Sequence, residues 1–85
     1  MLVKDLKPGM CFIDYYTNMS GAESRWIELI ISISLPYQGN DARDILYDIV
    51  VLQTETYNGI QESSHLFPAQ RKSSNNSVYV GWTQL

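Results

Sequence analysis

Between Trp26 and Ser34 the aliphatic residues recur at every second position. Ile27, Leu29, Ile31 and Ile33 alternate with Trp26, Glu28, Ile30, Ser32 and Ser34. A strand sends successive side chains to opposite faces, so a two-residue period sorts these residues cleanly; a helix would mix them. The pattern predicts a central strand with its odd positions turned to the core. Phe12, Val51 and Val80 are the expected partners of that face.

The flanking segments follow the same logic. Lys7-Pro8-Gly9 reads as a type II turn, because Pro presets φ at its second position and Gly accepts positive φ at its third. A strand over 10–16 follows, then a polar loop over 17–24. Pro36, Gly39 and Asn40-Asp41 mark a loop over 35–41. The near-continuous apolar runs Ile45-Leu46-Tyr47 and Ile49-Val50-Val51-Leu52 predict a strand over about 44–56, covered in part on both faces. Tyr57-Asn58-Gly59-Ile60 reads as a hairpin turn, since Asn-Gly supplies positive φ at two successive residues. A polar edge strand over 60–65 is expected to return from it. Pro68 lacks an N–H to donate, so a short helical turn is expected over 67–70, then a polar loop over 71–77 and a last strand over 78–82.

Strands joined by short loops on one 85-residue chain predict an all-β fold, a small five-stranded SH3-like barrel forming a single domain over 1–85. Closing the sheet removes edges that would otherwise pair with other chains. An oligonucleotide-binding-type barrel ranks second, because it needs longer strands and a helix between the third and fourth. No segment there has a helical period.

Charge narrows the partners. Six Lys and Arg against nine Asp and Glu leave a net charge of −3. Nucleic-acid coats carry a basic face, because their affinity comes from releasing counterions, so a nucleic-acid partner is not expected. Met1-Leu2-Val3-Lys4-Asp5 begins no signal-length apolar run, and no stretch reaches the ~20 apolar residues of a membrane span. The lone Cys11 has no internal disulfide partner and suits a reducing compartment. A cytoplasmic location without membrane contact is the expectation.

Candidate chemistry is sparse. One histidine, His65, and one cysteine, Cys11, fall short of the three or four ligands a zinc site needs, and no calcium-loop pattern surrounds Asp41, Asp44 and Asp48. No metal or cofactor is expected. Ser63 and His65 share a strand face without an acid to orient the imidazole. Aromatic residues are the unusual resource, at 12% of the chain. A core this small cannot hide them all, and half-exposed Tyr and Trp favour interfaces. Tyr57, Tyr79 and Trp82 are the candidate binding residues.

Pro8-Gly9-Met10-Cys11-Phe12-Ile13-Asp14 and Gly21-Ala22-Glu23-Ser24-Arg25-Trp26-Ile27-Glu28-Leu29-Ile30-Ile31-Ser32 resemble the opening of MazF/PemK-type toxin endoribonucleases. In that family a glycine turn leads to an apolar strand carrying Asp, a Gly-x-Glu loop, an Arg-Pro pair and an aliphatic strand ending in Ser. Trp26 stands in the place of that proline. The resemblance implies an SH3-like barrel that is usually dimeric. It also implies that Arg25 matches the arginine supporting RNA cleavage and Thr54 the hydroxyl residue ending the next strand. The expected function is nevertheless a non-catalytic protein-interaction module. It would be a small regulator or inhibitor, for example phage-encoded, acting on a protein partner or as a homo-oligomer. A MazF-like endoribonuclease and a small-ligand or nucleotide-binding barrel are the alternatives.

Overall fold

The computed structural model describes residues 1–17, 21, 23–57 and 60–85, with the backbone alone at 57 and 60–62. Four antiparallel strands form a meander: β1 (Cys11–Thr17), β2 (Glu23–Ile33), β4 (Ile45–Tyr57) and β5 (Ile60–Lys72). The two-residue strand β3 (Tyr37–Gln38) continues β2 along β4, and β6 (Thr83–Gln84) returns to pair with β1 at Phe12 and Ile13. The result is one strongly curled antiparallel sheet, a half-barrel with β5 and β6 at its edges. Among the described residues no helix is long and apolar enough to cross a membrane.

The terminal segments cover the inner face of the sheet. A single 3-10 turn, Val3–Asp5, follows the amino terminus, which donates to the carbonyls of Asn76 and Val78 at 3.2 Å each. Val3, Leu6 and Val78 thereby pack onto Phe12, Ile30, Ile49 and Val51 to make the core. Lys7-Pro8-Gly9 forms the expected turn. The Met10 N–H donates to the Lys7 carbonyl at 3.1 Å, and Gly9 has φ +92°.

The core phase of β2 corrects the sequence expectation. Leu29 faces Leu52 and Ile30 faces Val51, but Ser32 faces Val50, so Ile31 is the extra residue of a β-bulge. A bulge reverses the facing of everything beyond it. Ile30 is accordingly the buried residue at 1% exposed, while Ile31 is 43% exposed. Ile27 and Leu29 lie half-buried on the outer face, and only Ile33, past the bulge, keeps its expected side. Phe12 and Val51 are core residues, whereas Val80 is 67% exposed.

Two more segments differ from expectation. β5 runs unbroken through Pro68 to Lys72 where a helical turn was expected after residue 65. Among the described residues its only neighbour is β4, and an edge strand tolerates a residue that cannot donate on its open side. The expected strand over 78–82 is a pair of turns, and the final pairing shifts to Thr83 and Gln84. The expected Asn58-Gly59 turn lies outside the described residues.

Candidate functional site

The turns after β5 bring the aromatic candidates to the inner face. The Asn75 carboxamide oxygen accepts from both the backbone N–H and the hydroxyl of Ser77 at 2.9 Å, fixing the start of the segment. The Trp82 N–H then donates to the Tyr79 carbonyl at 3.1 Å. Gly81 sits at φ +85° and Tyr79 at φ +56°. A bulky residue rarely holds positive φ unless its surroundings require it. Here the Tyr79 ring stacks on Phe12 with centroids 4.1 Å apart and planes within 4°. Trp82 meets Tyr79 edge-on at 5.2 Å.

Tyr79 also holds a carboxylate. Its hydroxyl donates to Glu28 Oε1 at 2.8 Å, and Gln53 Nε2 donates to Glu28 Oε2 at 2.9 Å. The second contact follows from register, since Glu28 and Gln53 are directly opposed on β2 and β4. Burial, then the bond to Glu28, pushes the Tyr79 hydroxyl well above the ordinary tyrosine range. It therefore remains a donor across the physiological range, and Glu28 is clamped at both oxygens.

Glu28 forms one wall of a cavity of about 340 Å³ between the sheet and the terminal segments. Leu6, Ile49, Val51, Ala69 and Val78 supply its apolar lining. Arg71, Asn75, Ser77, Tyr79 and Trp82 complete the lining. Among the described residues no ion pair joins Arg71 to Glu28, and the Arg71 guanidinium donates to the neighbouring Gln70 carbonyl at 3.1 Å. A cation and an oriented carboxylate thus border one cavity without neutralising each other.

A second aromatic cluster lies further along the inner face. Tyr16 donates to Glu55 at 2.7 Å and accepts from Trp26 Nε1 at 3.2 Å, with the rings edge-on at 5.9 Å. The bond to Glu55 raises the Tyr16 pKa, and the Trp26 donor partly offsets it. This group ties β1, β2 and β4 together.

Of the predicted binding residues, Tyr79 and Trp82 meet at the cavity. The side chain of Tyr57 lies outside the described residues. Arg25 and Thr54 are diagonal neighbours on the outer face, where Arg25 opposes Thr56 and Thr54 opposes Ile27. Thr54 shares a hydrogen bond with Ser64 at 2.8 Å. Neither residue borders the cavity. Sequence reasoning missed Glu28, Gln53 and Arg71. Glu28 was turned outward by the phase the bulge reverses, and Arg71 was placed in a loop rather than on β5. Among the described residues no group of three or more His, Cys, Asp or Glu can hold a metal ion.

The chain matches no protein-family model, no curated protein and no solved structure.

Proposed function

We propose that this chain is an SH3-like barrel acting as a non-catalytic interaction module, and that its partner is a protein, in the first place a second copy of itself. The curled meander, extended on β1 by a short last strand, supports the finer fold. The observation that carries the function is an apolar row on the outer face. Cys11 opposes Leu29, Leu29 opposes Leu52, and Leu52 opposes Leu66 across β1, β2, β4 and β5. Ile27 and Val50 extend the row on its two sides. Cys11, Leu29 and Leu52 are half-buried on this face, Ile13 beside Ile27 is buried, and Leu66 is 61% exposed.

A contiguous, partly exposed apolar surface on a small domain marks an interaction site. Sheets pack face to face about 10 Å apart through such surfaces. The molecule's 46 × 22 Å outline leaves room for the ~800 Å² per partner that a stable pair buries. Light scattering from 1 to 100 micromolar tests the reading. Self-association should appear as a rise toward twice the chain mass, and Leu66→Lys should abolish it while the melting temperature holds. A single-chain mass throughout rules out the second copy as the partner.

A further inference from the structure

We infer that the inner cavity is a binding site for one guanine base, carried on a mononucleotide. The site is separate from the outer face and does not depend on it. The inference rests on which groups border the cavity and what each leaves unsatisfied.

Glu28 accepts one bond at each oxygen, from Tyr79 and from Gln53. An ionised carboxylate has about four lone-pair positions, so each oxygen keeps one. Two oxygens held in fixed orientation fit a ligand that presents two adjacent N–H donors. A guanidinium or amidine also offers that pair, but Arg71 borders the same cavity and disfavours a cation. An anionic group seated beside Glu28 is disfavoured in turn. The part of the ligand that enters the cavity is therefore neutral, with a donor pair on one edge and acceptors on the next, and a phosphate carried on it stays outside the cavity. Guanine has this arrangement: N1–H and the N2 amine face a carboxylate, while O6 and N7 accept from arginine.

Shape and surface agree with the chemistry. A cavity of about 340 Å³ lies at the small end of ligand sites and suits a single nucleoside rather than a larger cofactor. The apolar side chains of the lining take the flat body of a base. Trp82 offers an aromatic wall for stacking, whereas one face of the Tyr79 ring is already occupied by Phe12. The Tyr79 hydroxyl and Gln53 Nε2 hold the two Glu28 oxygens, so the acceptor is oriented before any ligand arrives. The net charge of −3 favours a mononucleotide over a polyanionic strand.

The test is a set of titrations followed by two-dimensional amide NMR, using GMP, IMP, AMP and a single-stranded tetranucleotide containing one guanine. The three mononucleotides share ribose and phosphate, so differences among them report the base. GMP should perturb amides of β2, β5 and residues 75–82. IMP lacks the N2 amine, and losing one bond to a charged acceptor should weaken it about tenfold or more. AMP should bind more weakly still, and the tetranucleotide no more tightly than GMP. Glu28→Gln should weaken GMP at least about tenfold, because the new carboxamide puts a donor against the base donors. Since Glu28 also anchors Tyr79, Arg71→Gln on the exposed rim provides a second variant whose folding is not at issue. It should weaken GMP and narrow the gap between GMP and AMP. The inference is overturned if the three mononucleotides bind alike, if none binds at millimolar concentration, or if Arg71→Gln leaves GMP affinity unchanged. Tighter binding of the tetranucleotide would overturn the mononucleotide assignment.

Discussion

Ile30 and Ile33 face the same side of the sheet although they stand three positions apart on one strand. Ile30 opposes Val51 and Ile33 opposes Ile49, both core residues, because the bulge at Ile31 absorbs the odd residue between them. The two adjacent isoleucines should therefore differ sharply in worth. Ile30→Ala should cost about 2–5 kcal/mol, as other buried truncations to alanine do. Ile31→Ala, on the exposed residue, should cost under about 1 kcal/mol. Urea denaturation of the two variants checks this, and equal losses would place the bulge elsewhere.

This pair also shows what the sequence could and could not reveal. The two-residue period identifies β2 as a strand, because alternation is a local property of the chain. Which phase faces inward depends on the partner strand and on one inserted residue, and neither is visible in β2 alone. The same limit applies to Pro68. A proline in a strand-like run is a warning only if both sides of the strand are paired, and among the described residues β5 has a single neighbour. Tyr79 and Trp82 were legible as binding candidates from residue type. Glu28 and Arg71 were not, since neither the register opposing Glu28 to Gln53 nor the extension of β5 to Lys72 has a local signature.

The Tyr79–Glu28 hydrogen bond should appear as an alkaline dependence of stability. The folded-state pKa of Tyr79 is raised above its ordinary value of 10.0. As pH rises, the unfolded chain therefore gives up this proton before the folded chain does. The stabilisation is whole below pH 10.0 and is lost progressively above it. Tyr79→Phe should be less stable than the parent by about 1–3 kcal/mol at neutral pH, because one Glu28 oxygen loses its donor. That gap should narrow between pH 10 and 11.5, since phenylalanine has no proton to lose. Tyr16 and Tyr37, also raised, are common to both proteins and cancel in the comparison. Urea midpoints at pH 8 and pH 11 decide the matter, and a gap independent of pH would remove Tyr79 ionisation from the account.

Gly81 should resist substitution for a reason confined to the backbone. Its φ is +85°, and a Cβ built there meets nothing within 4 Å. The strain of an L-residue at positive φ, about 1–2 kcal/mol, is then the whole cost of Gly81→Ala. Gly81→Val should cost more, because branching at Cβ resists this region further. Thermal melts that rank parent, alanine and valine in that order support the turn, and equal melting temperatures would count against it.

Trp82 separates the two faces of the molecule experimentally. Its ring meets Tyr79 edge-on, packs against the core cluster and lines the inner cavity. The apolar row running from Cys11 to Leu66 lies on the opposite side of the sheet. Trp82→Ala should therefore lower the melting temperature and leave the mass seen by light scattering unchanged at concentrations where the protein stays folded. A fully buried aromatic truncation costs about 3–5 kcal/mol, and the half-buried Trp82 should fall at or below the lower end of that range. The variant should also lose its response to GMP, because the aromatic wall of the cavity is gone. Leu66→Lys should behave in the reverse sense, with melting temperature and GMP response held and association lost. If Trp82→Ala instead dissociates an oligomer into folded single chains, Trp82 lies in the subunit interface and the inner face, not the outer one, mediates association.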